Sequence, residues 1–146
     1  MKVFSILMVC VALLVGGCGY TGTKVEYYEN GSKNTETPYM DGKKHGMDVC
    51  YYEDGAKRRE IPYVNDKRHG TEIVYRPDGS KLKEIPYIDC KEQGIEINYR
   101  ENGSKSHETT YVNGNRHGTQ IWYHKDGSKW AEYVYENEKI VCEEKF

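Results

Sequence analysis

Apolar and polar residues alternate in short runs along most of the chain. Thr71-Glu-Ile-Val-Tyr75 is one such run, and Lys81-Leu-Lys-Glu-Ile-Pro-Tyr-Ile88 is the next. Alternation of period two predicts half-buried β-strands. Between these runs lies Arg76-Pro77-Asp78-Gly79-Ser80, and two alternating runs around Asp-Gly predict a β-hairpin. Two turns compete. A two-residue type I′ turn would use Asp78-Gly79 alone, whereas a three-residue loop would be a type I turn with Gly79 in the left-handed region. Pro77 favours the three-residue loop, because its fixed φ suits the first central position of a type I turn. In the shorter loop it would remove a donor from the strand ladder. The three-residue loop sets Arg76 opposite Ser80 and Tyr75 opposite Lys81. Ile73, Tyr75, Ile85 and Tyr87 are then expected on one face of the sheet.

The hairpin recurs. Residues 39–57, 63–81, 87–105 and 111–129 are variants of one string, which reads YVNGNRHGTQIWYHKDGSK in the last copy, at a spacing of 24 residues. Gly31, Gly55, Gly79, Gly103 and Gly127 form one column. Tyr27, Tyr51, Tyr75, Tyr99 and Tyr123 form another, and Tyr39, Tyr63, Tyr87, Tyr111 and Tyr135 a third. A basic column (Lys33, Lys57, Lys81, Lys105, Lys129) stands three residues before an acidic one (Glu36, Glu60, Glu84, Glu108, Glu132). Gly46, Gly70, Gly94 and Gly118 are expected to mark a second turn, spanning residues 89–94 in one copy and 113–118 in the next. Pro38, Pro62 and Pro86 precede a column tyrosine and predict weakened ladder pairing there. A fixed period of this size makes each copy one supersecondary unit that touches only its neighbours. The expected fold class is all-β, an elongated single-layer antiparallel meander of about five 24-residue β-hairpin repeats over residues 24–139. Residues 140–146 are expected to add a charged capping strand. About eleven strands at ~4.8 Å each would run roughly 50 Å.

The first residues break the pattern. Met1-Lys2 is followed by an apolar run from Val3 to Val15, interrupted by Ser5, and then by Gly16-Gly17-Cys18. The run is shorter than the ~20 residues a membrane span needs and reads as a secretory signal. Val15-Gly16-Gly17-Cys18 resembles a bacterial lipobox. That resemblance implies a signal peptide over residues 1–17, cleavage before Cys18, diacylglycerol on the Cys18 thiol and a short tether over 18–23. Acyl chains contribute ~0.8 kcal/mol per buried CH₂, so the expected location is the bacterial cell envelope, held to the membrane through Cys18. Gly19 resembles an outer-membrane sorting residue if the cell is Gram-negative.

Composition then limits the chemistry. Charged residues make up 30% of the chain and the formal net charge is −2, which gives no pull toward nucleic acid. His45, His69 and His117 stack at the repeat period, ~9.5 Å apart, so they cannot share one zinc ion at ~2 Å; no metal or other cofactor is expected. The glutamate ladder gives like environments, unlike the paired carboxylates of a general acid/base site, and no catalytic residue is assigned. Cys50, Cys90 and Cys142 lie strands apart, whereas a disulfide needs Cα atoms within ~7 Å, so no internal bridge is expected. Candidate binding residues are Tyr51, Tyr75, Tyr99 and Tyr123, which offer large contact area at low entropy cost, and Trp122. Trp122 shares the least uniform strand column with Cys50, Val74 and Asn98.

The unit resembles MORN repeats, with their Y-x-G-x-x-x-x-G signature, a following aromatic and Asp-Gly. It is most similar to the bacterial variant of the YwqK-type antitoxin family. Asp66, Cys90, Gln93 and Glu138 depart from the pattern. The resemblance implies a single-layer sheet with a binding or scaffolding role and no intrinsic catalysis. Its expected partner is a protein, with a toxin as one form of it. The alternative it implies is a structural envelope spacer or a phospholipid-contacting protein.

Overall fold

Each alternating run forms a strand in the computed structural model, which describes residues 19–146. The expected signal peptide and Cys18 lie outside the described residues. The strands are β1 (Gly22–Tyr27), β2 (Lys33–Met40), β3 (Lys43–Lys44), β4 (Gly46–Tyr51), β5 (Lys57–Val64), β6 (Lys67–Arg68) and β7 (Gly70–Tyr75). They continue as β8 (Lys81–Ile88), β9 (Lys91–Glu92), β10 (Gly94–Tyr99), β11 (Lys105–Val112), β12 (Asn115–Tyr123), β13 (Lys129–Glu136) and β14 (Lys139–Lys145). All belong to one open antiparallel sheet. Its spine runs β1-β2-β4-β5-β7-β8-β10-β11-β12-β13-β14, while the short β3, β6 and β9 fold back on β2, β5 and β8. Neighbours in sequence are neighbours in space, because connections of two or three residues leave no room for a crossover. The capping strand begins one residue before the expected 140 and ends at Lys145.

The Asp-Gly loop has three residues. Arg76 N donates to Ser80 O at 2.9 Å and Gly79 N to Arg76 O at 2.9 Å, with Gly79 at φ +82. Asp78 Oδ1 accepts from Ser80 N at 2.9 Å and from Ser80 Oγ at 2.7 Å, tying the turn to its own side chain.

The expected sharing of faces is overturned just past this turn. Tyr75 pairs with Lys81, as the loop requires, but Val74 pairs with Lys83, leaving Leu82 as an extra residue. One inserted residue reverses the parity of everything beyond it. Ile85 therefore lies opposite Glu72, and Ile73 lies opposite Glu84. Ile85 and Tyr87 share a face with Glu72, whereas Ile73 and Tyr75 occupy the other face. The same bulge follows all five Asp-Gly or Asn-Gly turns.

The second turn is also narrower than expected. It is a two-residue hairpin at Asp41-Gly42, Asn65-Asp66, Asp89-Cys90, Asn113-Gly114 and Asn137-Glu138, with both residues at positive φ, as type I′ geometry requires. Gly70 is not part of it. It opens β7 at φ +115, and a Cβ there would stand 3.0 Å from Pro62 Cγ. Gly46, Gly70 and Gly94 each meet a proline ring and Gly118 meets Thr110, and all four have the positive φ that glycine adopts freely.

The prolines interrupt the ladder as their missing N–H dictates. β5 pairs with β7 only at Arg59↔Val74 and Glu60↔Ile73, and resumes with β6 at Tyr63↔Arg68. In the fourth junction Thr110 replaces proline, and β12 runs unbroken from Asn115 to Tyr123.

Burial is one-sided. The buried apolar residues Ile61, Ile85, Tyr87, Ala131 and Tyr135, and the buried polar residues Thr37, Asp48, Glu72, Glu96 and Thr109, all project from the Glu72 face by register. Cations lie across its tyrosines. Arg68 sits 4.1 Å over the Tyr87 ring and Arg116 4.6 Å over Tyr135, so their stems cover the rings while their charges stay near water.

Candidate functional site

The two faces of the sheet are built from different chemistry. On the Tyr75 face the same three side chains meet at each repeat boundary. Tyr75 Oη donates to Glu60 Oε2 at 2.6 Å, and Lys57 Nζ lies 2.5 Å from Glu60 Oε1. Tyr51 donates to Glu36 at 2.6 Å, Tyr99 to Glu84 at 3.2 Å and Tyr123 to Glu108 at 2.7 Å, each glutamate again paired with the lysine three residues before it. The tyrosine belongs to one repeat and the Lys–Glu pair to the one before, so each triad joins two repeats. Glu36 and Glu60 are held below the usual carboxylate range by the lysine and then the tyrosine. Tyr51 is pushed up to about 12 by its bond to Glu36 and by burial. Tyr75 reaches about 12 through burial and its bond to Glu60.

The candidate binding residues therefore divide. Tyr51, Tyr75, Tyr99 and Tyr123 stand half-buried in these triads, with their hydroxyls engaged. Trp122 pairs with Ala131 on the opposite, Glu72 face. Its ring stacks on His107 at 4.2 Å and meets Trp130 edge-on at 6.4 Å. Trp130 is the extra residue of the last bulge and is 43% exposed. Burial lowers the pKa of His107, and Lys83 and Arg100 act in the same direction.

Around that cluster the Glu72 face varies from repeat to repeat. The column Lys24, Asp48, Glu72, Glu96, Gln120 finds a different partner at each step. Asp48 accepts from Thr37 Oγ1 at 2.8 Å and lies 3.4 Å from Lys44 Nζ. Glu72, fully buried, is held by Arg59 Nε and, at 3.4 Å, by Arg68 Nη1. Glu96 pairs with Lys83 at 3.0 Å and accepts from Asn98 Nδ2 at 2.8 Å. Gln120 donates to Thr109 at 3.1 Å. Sequence reading singled out the Cys50, Val74, Asn98, Trp122 column and missed these neighbours. Their signal was variability at alternate positions on each side of the turn, readable only once the bulge is counted.

The departures from glycine in the I′ turns also acquire a role. Asp66 Oδ1 accepts from Lys44 N at 2.8 Å, Cys90 Sγ from Arg68 N at 3.3 Å and Glu138 Oε1 from Arg116 N at 2.5 Å. Each side chain satisfies a backbone donor of the preceding turn, a bond that a glycine cannot make. Cys50, Cys90 and Cys142 are free. No group of three His, Cys, Asp or Glu side chains among the described residues is placed to share a metal ion.

The model of the MORN repeat variant matches residues 20–41, 68–89 and 116–143. The chain carries MORN-variant repeats. The matched segments begin two repeat lengths apart, and the copies between them keep the same columns and strands. No curated protein matches the chain. MORN-variant repeats in an open all-β sheet make this a repeat module, a type of architecture that is typically non-catalytic. Its surface offers contact area and fixed charge.

Proposed function

We propose that this chain is a non-catalytic, lipid-anchored protein of the bacterial cell envelope whose MORN-variant repeats bind a protein partner through the Glu72 face. The observation that carries the reading is the contrast between a uniform face and a variable one. A face that keeps one tyrosine column constant but varies the columns of Glu72 and Trp122 along the sheet can distinguish one partner from another, and large aromatic side chains are frequent anchors of such interfaces. Trp122 and Trp130 are the largest side chains of that face. The likeness of the unit to YwqK-type antitoxin repeats makes neutralisation of a toxin one form this binding takes. The lipobox-like Val15-Gly16-Gly17-Cys18 supports anchoring through Cys18.

The reading is tested by purifying the tagged full chain from its own envelope fraction. A stoichiometric protein partner should co-purify, be lost on Trp122→Ala with Trp130→Ala, and be retained by Tyr99→Phe. Absence of a partner, or one indifferent to both tryptophans, overturns it. Labelled palmitate should enter the wild type and not Cys18→Ser.

A second reading, contact with phospholipid, draws on one observation. Met40, Met47, Val64, Ile88, Ile95 and Val112 are exposed and by register line the Tyr75 face near the I′ turns. The chain enters the sheet at the same rim, where Gly42 N donates to Tyr20 O at 2.8 Å and Asp41 N to Thr21 Oγ1 at 3.0 Å. Vesicle binding by Cys18→Ser that is lost on adding Ile88→Ser and Ile95→Ser would favour this reading.

A further inference from the structure

The rim formed by the Asp-Gly and Asn-Gly turns carries a second asymmetry. The residue that opens each turn sends its side chain across to the next repeat. In the first two repeats this residue is a tyrosine. Tyr28 Oη donates to Tyr51 O at 2.6 Å and Tyr52 Oη to Tyr75 O at 2.8 Å. In the next two it is an arginine that binds the equivalent carbonyl. Arg76 Nη2 donates to Tyr99 O and Arg100 Nη2 to Tyr123 O. Arg76 Nη1 also donates to Lys81 O at 2.7 Å, and Arg100 Nη1 to Lys105 O and, at 3.3 Å, to His124 O.

The structural task, donating one hydrogen bond to a carbonyl of the following repeat, is done equally by a neutral hydroxyl. Arginine adds a positive charge that the task does not need. That charge is not neutralised internally. Among the described residues neither guanidinium has a carboxylate within 4.0 Å, nor has Lys125. Asp78 feels the charge of Arg76, but its Oδ1 is occupied by Ser80 N and Oγ. The guanidiniums are also pre-positioned, because backbone carbonyls hold them in place.

These residues line one groove. Arg76, Arg100, Glu101, Asn102 and Lys125 enclose about 460 Å³. Glu101 is its single acidic member, set against three cations. The same turn positions in the first two repeats hold Glu29 and Glu53 beside Tyr28 and Tyr52, so the positive character belongs to repeats three to five alone.

We infer that this groove receives a carboxylate-rich, extended segment of a partner protein, with Arg76 and Arg100 as carbonyl-held charge contacts and Lys125 as a third cation. The inference rests on the protein-binding reading for the source of the segment, and on charge complementarity for its chemistry. Arg100 also lies close enough to His107 for its charge to be felt there.

The fold supplies its own test variant. Arg76→Tyr with Arg100→Tyr installs the side chains of the first two repeats and removes both charges. The probe is a fluorescein-labelled ten-residue oligoglutamate, titrated into the purified full chain at low salt and read by anisotropy. The wild type should bind it and the double variant should bind roughly tenfold more weakly or worse. Thermal midpoints should match, and Arg58→Gln, a cation outside the groove, should leave binding intact. Oligoglutamine should not bind. Equal binding by wild type and double variant, displacement of the probe by an equal concentration of inorganic phosphate, or tighter binding to anionic vesicles than to the peptide would each overturn the assignment. The result is separable from partner capture. Probe binding without any envelope partner keeps the groove and removes the broader reading. A partner retained by the double variant, with no probe binding, does the reverse.

Discussion

The Tyr75 face and the Glu72 face belong to the same strands, yet they follow different rules. On the Tyr75 face one Lys–Glu–Tyr triad recurs at each boundary, with each triad lying between half-buried side chains and solvent. On the Glu72 face the corresponding centre is a polar column, buried at Asp48, Glu72 and Glu96, whose partners change at every step. The difference teaches where a thin sheet keeps its stability and where it keeps its individuality. Many weak, identical, partly solvated bonds hold the repeats in phase. A few strong, unlike, desolvated bonds make each repeat distinct from its neighbours. A slip by one whole repeat would preserve every triad of the Tyr75 face. It would also bring Glu72 toward the partners of Asp48 or Glu96, and so be penalised on the other face.

The largest break in this comparison comes from Glu72→Ala. It removes the carboxylate that Arg59 and Arg68 share, and because both arginines are partly exposed and can turn to water, the cost is that of losing charged hydrogen bonds, about 2–3 kcal/mol. Urea or thermal melts should record that loss. Tyr75→Phe removes one triad bond and should cost about 1 kcal/mol. If the two variants prove equal, the contrast between the faces is wrong.

Titration separates the faces by sign. Glu36 and Glu60, on the Tyr75 face, sit below their ordinary value of 4.5. Their contribution is present above that value and is lost as pH falls through the folded values. Glu92, on the Glu72 face, sits above 4.5, because burial and the neighbouring Glu96 oppose its charge. Its contribution is complete below 4.5 and is lost as pH rises through its folded value. Melting temperature should therefore fall as pH drops below about 4.5, while between neutral and mildly acid pH the gain from Glu92 is opposed by His107, whose lowered value lets the unfolded chain take up its proton first. The smallest effect expected is from Glu92→Gln. It removes the like charge beside Glu96 and should stabilise the neutral-pH protein by a few tenths of a kcal/mol, since Glu92 is partly solvated. Its advantage over the wild type should shrink as pH falls toward 4.5, below which Glu92 is protonated in both states. A destabilised variant would mean that Glu92 is paired rather than opposed.

Much of the fold was legible in the chain because its determinants are local. Alternation set the strands, Asp-Gly with Pro77 set the loop length, and the 24-residue period set the meander. The proline column announced the interrupted ladder. The candidate site was legible only in part. Trp122 could be singled out by column, but its partners His107 and Trp130 could not. Leu82 and its equivalents carry no mark that distinguishes a bulge from a paired residue. An added residue in one strand is defined only by what lies opposite it.

What the amino-acid sequence determined by itself is thus the repeat, its turns and its strands, since each depends on residues a few positions apart. Only the tertiary structure decided which side chains share a face. That choice rests on pairing between strands, where one unpaired residue after each turn reverses the parity of the rest. It placed Tyr75 and Ile85 on opposite faces, grouped the variable columns around Glu72, and turned Arg76 and Arg100 toward the next repeat.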